Sequence, residues 1–170
     1  MTDWPAIIRD HGPLVWRIAS RILNHDAEAA DCFQRTFVSA VEVDAAEFVR
    51  SWPAVLTRLA TSRALEQLRV RYRQAGRFVP LTEDPVGGAD EALERASAGE
   101  LADRLRVALS GINPRQADVF CLVCLEGHSN QEAAEQLGIT ASHAGVLLQR
   151  ARAALRKRLQ VFDPIHEGRS

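Results

Sequence analysis

The sequence predicts an all-α protein of two small helical domains joined by a flexible linker, the second of them a helix-turn-helix domain. Three observations carry that prediction. Ala, Leu, Arg and Glu dominate the chain while strand-like alternation is nearly absent. Apolar residues recur at helical spacing through most of its length. A helix cap, a glycine turn and a second cap follow one another between Ser129 and Thr140.

From Asp3 to Leu23, Ile7, Ile8, Leu14, Val15, Ile18, Ile22 and Leu23 keep helical spacing. Gly12-Pro13 interrupts them, which predicts a short helix followed by a longer one. Asn24-His25-Asp26 reads as a turn and cap. A second helix is expected from about Ala27 to Val43, with Ala30, Phe33, Phe37, Ala40 and Val41 inward and Glu28, Asp31, Arg35, Ser39 and Glu42 outward. That outer side suits a solvated face and a polar docking surface equally. Asp44 to Ser51 reads as a loop or a single turn. Pro53 fits the first turn of a helix that runs from Trp52 to about Gln74. Its apolar stripe slips from Val55, Leu56 and Leu59 to Leu65, Leu68 and Tyr72, through either a kink or burial on two sides.

Pro80, Pro85, Gly87 and Gly88 give the following stretch the composition of a linker. Residues 1–75 therefore form a first module, 76–96 the linker, 97–162 a second module and 163–170 a tail. A polar helix is expected from about Asp90 to Leu109, with Leu93, Leu101, Leu105 and Leu109 apolar. Asn113-Pro114 starts the next helix, and Gln116 stands where it can complete a capping box. The segment Val119 to Leu125 is apolar on every side, so it is buried all round or shows an apolar face to a partner. Ser129 and Glu132 form a capping box; Gly138 ends the short helix and Thr140 caps a longer one, from about Ala141 to Leu159. On that helix Ala144, Leu148, Ala151 and Leu155 share one side, and Ser142, Val146, Gln149, Ala153 and Arg156 the other. A short helix, a glycine turn and a basic helix can place the last in a DNA major groove, and an ordinary helical hairpin would show the same pattern.

At 170 residues and 46% apolar content the chain can bury real cores. No apolar run approaches membrane-spanning length, and Met1-Thr2-Asp3-Trp4 does not open a signal peptide. Three cysteines argue against a disulfide framework, so a soluble cytoplasmic protein without membrane insertion is expected. The net charge of -1 hides a segregated pattern. Arg58, Arg63, Arg69, Arg71, Arg73 and Arg77 face one Glu66 in their stretch; Glu83, Asp84, Asp90, Glu91, Glu94, Glu100 and Asp103 come next; Arg150, Arg152, Arg156, Lys157 and Arg158 restore a basic cluster. Two basic patches around an acidic joint suggest two contacts with a polyanion, and the linker acids are placed to mask those patches when nothing is bound.

Cys121-x-x-Cys124-x-x-x-His128 has the outline of half a zinc site, but residues three apart on a helix merely share a face and a fourth ligand is not evident. Two buried small hydrophobes account for the cysteines better. No phosphate-cradling glycine loop or nucleophile constellation is present, so neither an enzyme nor a cofactor is expected.

Glu28-Ala29-Ala30-Asp31-Cys32-Phe33-Gln34-Arg35-Thr36-Phe37, then Leu56-Thr57-Arg58-Leu59-Ala60 with Ala64, Glu66, Leu68 and Arg69, then Pro114-Arg115-Gln116, Val119-Phe120, Glu126-Gly127, Ser129, Glu132-Ala133-Ala134, Leu137-Gly138-Ile139 and Arg150-Ala151-Arg152 occur in this order. Together they resemble bacterial RNA polymerase sigma factors of the extracytoplasmic-function class, over nearly the whole chain except linker and tail. The resemblance implies a subunit that directs core RNA polymerase to promoter DNA, docking through Glu28, Asp31, Gln34 and Phe37. Its first module would hold the opened downstream element and its second read the upstream duplex. An anti-sigma factor commonly restrains the family, so the resemblance implies one here, though no residue identifies it. Ala30 and Arg35 stand in place of two acids of the docking segment, and Val55, Ser62 and Glu66 in place of Trp, Asn and Asp. Ala144, Gly145 and Leu147 leave the recognition helix poorer in cations, which shifts reliance to the first module or to another DNA-binding protein.

Strand capture needs aromatics and cations near a loop, which Phe48, Trp52, Arg50, Arg58, Arg63, Arg69 and Arg73 supply. Phe48 and Trp52 suit helix packing as well. In the second module Gln131, Ser142, His143, Val146 and Gln149 are candidates for base edges, and Arg115, Arg150, Arg152 and Arg156 for phosphates; Arg152 also suits a salt bridge. Two alternatives remain open on residues alone. One is a helical interaction module using Val123, Cys124, Val146 and Leu147, and the other a stand-alone helix-turn-helix regulator that does not act through polymerase.

Overall fold

The computed structural model describes residues 1–76 and 98–160, which excludes most of the expected linker, Leu93 and the tail. Among the described residues the regular structure is helical, with no strand: α1 (Trp4–Leu23), α2 (Asp26–Ala46), α3 (Trp52–Gln74), α4 (Ala98–Gly111), α5 (Pro114–Phe120), a π-helical turn (Cys121–Leu125), α6 (Asn130–Leu137) and α7 (Ala141–Gln160).

Helix α1 runs unbroken through Pro13, against the expected split. Proline removes the N–H that would have bonded Arg9, but Pro13 and Arg9 are both exposed, so water can take that carbonyl. The Asp3 carboxylate accepts from the Ala6 N–H at 3.1 Å, and Asn24 ends the helix in the left-handed region at φ 47°. Helix α2 is longer than expected at both ends, and its buried side is turned. Ala30 and Val41 are exposed, while Ala29, Cys32, Thr36, Phe37, Ser39 and Ala40 are buried. Polar positions enter the core because their hydroxyls are satisfied there: Thr36 donates to the Cys32 carbonyl at 2.8 Å, and Ser39 accepts from Arg63.

Helix α3 settles its slipping stripe as burial on more than one side, without a break in the helix. At about 100° per residue its buried positions, from Leu59 round to Leu65, span roughly 240°. It packs against α1 and α2 of its own module and against α4, α5, α6 and the π turn of the other. One contiguous core results, in which Val15, Ile18, Leu56, Leu65 and Leu68 join Ala108, Leu109, Ile112, Ala117, Cys121, Ala151 and Leu155. A smaller cluster of Val119, Leu147 and Leu148 fills the helix-turn-helix.

In the second module Leu101 is 55% exposed, not inward as its spacing suggested. Asn113 caps α5 by accepting from the Arg115 N–H at 3.0 Å. The all-round apolar stretch opens into a π turn, where the Glu126 N–H reaches the Cys121 carbonyl at 3.0 Å. The extra residue in that turn shifts the helical phase and leaves Cys121 and Leu122 buried but Cys124 exposed. The Ser129–Glu132 capping box forms in both directions, at 2.7 and 3.1 Å. Gly138 turns the chain at φ 65°, and the Thr140 hydroxyl accepts from the His143 N–H at 3.1 Å. From α7, Arg158 donates to the Gly111 carbonyl at 2.6 Å, closing α4 and α7 together.

Because α3 lies within the core that the two modules share, Leu65→Ala, at a fully buried position, is expected to cost about 2–5 kcal/mol in denaturant unfolding of the full chain. Ser62→Ala, on the exposed side of the same helix, should change it by less than about 0.5 kcal/mol.

Candidate nucleic-acid interface

The loop between α2 and α3 carries the most available aromatic among the described residues. Phe48 is 88% exposed and Arg50 beside it is exposed as well. Trp52, a candidate for the same role, packs edge-on against Trp4 at 5.0 Å between ring centres. It ties the start of α3 to the start of α1 and is half-buried. Phe48 is therefore shaped for stacking and Trp52 for support.

The arginines of α3 divide by what they already touch. Arg63 donates to the Ser39 hydroxyl at 2.8 and 3.2 Å and to Glu66 at 3.0 Å. Arg71 forks onto Glu28 and the Leu23 carbonyl, so both ends of that pair are engaged inside the module. Arg73 is exposed, whereas Arg58 and Arg69 are half-buried and lie near Asp118 of α5. The segment Glu28, Asp31, Gln34 and Phe37 divides similarly. Asp31 accepts from Gln67 at 3.0 Å and from Arg35 at 2.9 Å, and Gln34 is exposed. Phe37, 7% exposed and packed on Phe33 at 5.0 Å, is a core residue with no face left for docking.

Helix α7 presents Ser142, His143, Val146, Gln149, Arg150, Arg152 and Arg156 on its exposed side, opposite buried Ala144, Leu147, Leu148, Ala151 and Leu155. Arg152 reaches the Cys124 sulfur at 3.8 Å. Gln131 is exposed but donates to Glu135 at 2.8 Å, one turn along α6. Among the described residues no group of three or more His, Cys, Asp or Glu side chains gathers as metal ligands. Burial pushes the Cys121 thiol up and the Cys32 thiol up to about 11, which suits packing, whereas Cys124 is exposed and not the second buried hydrophobe its spacing suggested.

Several residues that matter here carry no signal in their spacing. Glu126, with a side chain only 2% exposed, receives Arg17 at 3.1 Å and Arg21 at 3.4 Å from α1. Arg21 also donates to the Leu125 carbonyl. Arg106 of α4 donates to the Ile22 carbonyl at 2.8 Å and the Arg21 carbonyl at 3.1 Å, in the last turn of α1. Each pair is more than 80 residues apart in sequence, beyond any local pattern. Asp118 is the fourth case. Burial pushes its carboxyl up to about 6, against the opposing pull of Arg69, Arg115 and Arg58. A cavity of about 170 Å³ opens beside it, lined by Arg58, Arg115, Gln136 and Leu147 among others.

A family model described as Sigma-70 region 2 matches residues 7–74, and one described as Sigma-70, region 4 matches residues 102–155. The ECF RNA polymerase sigma factor SigE of Mycolicibacterium smegmatis is 26% identical over 157 residues, which cover 92% of this chain and 61% of that protein. The sigma factor RpoE of Bartonella quintana, solved in complex with the anti-sigma factor NepR, aligns over 95% of this chain and 99% of its own. Its TM-score is 0.54 at 20% identity, a likeness of fold.

The raised Asp118 carboxyl carries a pH signature. Between its ordinary value near 3.8 and about 6 the folded chain holds this proton more tightly than the unfolded one, so the contribution favours folding at low pH and is lost as pH rises through about 6. Asp118→Asn is accordingly expected to stabilise the full chain at pH 8 by on the order of 2 kcal/mol more than at pH 4, measured by denaturant midpoints at the two values.

Proposed function

The chain belongs to the sigma-70 family, in its extracytoplasmic-function class, and from that membership we propose that it directs core RNA polymerase to specific promoters for transcription initiation. The observation that carries this is the pairing, in one chain, of a region 2 module bearing a loop with an exposed aromatic and a region 4 module bearing an exposed basic recognition helix.

The first module, residues 1–75, works on separated strands. Phe48 offers a face on which an unstacked base can settle, and Arg50 and Arg73 stand where phosphates of the same strand can be neutralised. Arg63 has its fork on Ser39 and Glu66, and therefore shapes α3 more than it grips DNA. Docking on core polymerase falls to the α2 surface around Asp31 and Gln34, with Glu28 held by Arg71 and Phe37 supporting from beneath. The second module, residues 97–162, lays α7 in the major groove. Ser142, His143, Val146 and Gln149 face base edges there, while Arg115, Arg150, Arg152 and Arg156 contact phosphates. Gln131, bonded along α6, meets the duplex only if it leaves Glu135.

Bond-making belongs to the polymerase, and this chain supplies position and strand separation. It would act in the cytoplasm, where polymerase and promoter DNA meet, and an anti-sigma factor is the expected restraining partner. Among the described residues no helix is long and apolar enough to cross a membrane.

Initiation from a defined promoter with purified core polymerase tests the proposal, and no start-site selection by the wild-type chain refutes it. Phe48→Ala is expected to reduce open-complex formation by about 1–3 kcal/mol, roughly 5- to 150-fold, while leaving upstream-duplex binding unchanged. Arg150→Ala should instead weaken duplex binding across sequences and lower the slope of log K against log salt by about one.

A further inference from the structure

Three arginines converge on one acid where α5 meets α3. Arg69 and Arg58 of α3 and Arg115 of α5 all act on the Asp118 carboxyl, yet burial outweighs them and pushes it up to about 6. Among the described residues none of the three closes an ion pair on this acid or on any other carboxylate. Arg17, Arg21, Arg63 and Arg71, by contrast, each meet one. The Arg69 Nη2 is also buried without a hydrogen-bond partner. Even with Asp118 ionised, three guanidiniums against one acid leave positive charge uncompensated in a half-buried place, which is unfavourable unless an anion joins them.

The cavity of about 170 Å³ beside Asp118 is where that excess can be met. Arg58, Arg115 and Gln136 give it polar walls, and Leu137, Ile139 and Leu147 an apolar one. The Gln136 side-chain oxygen is buried without a hydrogen-bond partner, and its amide nitrogen lies 3.5 Å from the His128 ring. A half-turn of that amide exchanges the two, which turns N–H donors to the cavity and an acceptor to His128. Guanidinium forks and an amide NH2 match the oxygens of a phosphate group. The aliphatic wall leaves room for a short substituent on it, whereas a nucleic-acid strand brings a row of phosphates and needs an open track.

We propose that Arg58, Arg69, Arg115 and Gln136 form a binding site for a small phosphate-bearing molecule, with Asp118 as an internal competitor for the same guanidiniums. A bound anion takes over the arginines, so Asp118 is left with burial alone and holds its proton more firmly. Binding is therefore linked to proton uptake. The groups that face Asp118 are Arg58 and Arg69 from α3, Arg115 from its own helix and Cys121 from the π turn, whose thiol burial keeps neutral; α6 and α7 bring Gln136 and Leu147 to the cavity. The site needs neither polymerase nor a promoter, so it stands or falls apart from the functional reading.

Calorimetric titration of the full chain with inorganic phosphate and with sulfate, at fixed ionic strength, tests this. Wild type is expected to bind one equivalent of either, on the order of 1 mM or tighter. Sulfate keeps its charge between pH 5 and pH 8, so its affinity should be at least about threefold higher at pH 5. Arg115 is exposed, and Arg115→Gln therefore probes the site without disturbing the core. It and Arg58→Gln should each weaken phosphate binding at least about tenfold with helix content retained, while Arg9→Gln, far along α1, changes nothing. Asp118→Asn should raise the affinity at pH 8 and remove the pH dependence for sulfate. No saturable binding by wild type, or binding indifferent to Arg58→Gln and Arg115→Gln, overturns the site, and a pH dependence that survives Asp118→Asn overturns the competitor. Binding of a mixed-sequence duplex separates the two sources of phosphate. A loss there as large with Arg58→Gln as with Arg115→Gln assigns the cavity to the DNA backbone and overturns the small-molecule site, whereas a loss with Arg115→Gln alone supports it.

Discussion

One helix has to serve two modules. The buried positions of α3 reach around most of its circumference, leaving an exposed strip that includes Ser62, Glu66, Val70 and Arg73. A helix with one apolar stripe can be covered by a single layer, but an arc of roughly 240° needs partners on opposing sides. Helices α1 and α2 cover part of it and the second module covers the rest. The position of the helix-turn-helix relative to the loop at 47–51 follows from that requirement.

Most of the local architecture is legible in the sequence because it is written in short-range chemistry. Ser129 and Glu132 specify a helix start by bonding each other's backbone, Gly138 specifies its end, and the inward side of α7 follows from spacing alone. Where spacing misleads, it does so by treating a residue apart from its surroundings. Propensity marks Pro13 as a break because it treats every helix interior alike, whereas the lost bond here faces solvent. Spacing misplaces the buried side of α2 because it counts hydroxyl residues as polar, and Thr36 and Ser39 lose that character once a carbonyl or an arginine takes up the hydroxyl. The pairing of Glu126 with Arg17 and Arg21 has no local signature at all, since it joins a turn to a helix more than 100 residues away.

The arginines show why a basic stretch in a sequence overstates a binding face. Of the α3 cluster, Arg71 is clasped by Glu28, Arg63 by Ser39 and Glu66, and Arg58 and Arg69 lie near enough to Asp118 to act on its charge. Several of these cations stabilise the fold by satisfying carbonyls and carboxylates, as Arg106 and Arg158 do at helix ends. The near-neutral net charge is consistent with this internal pairing. Affinity for a polyanion then depends on which pairs open, and not on how many arginines are encoded.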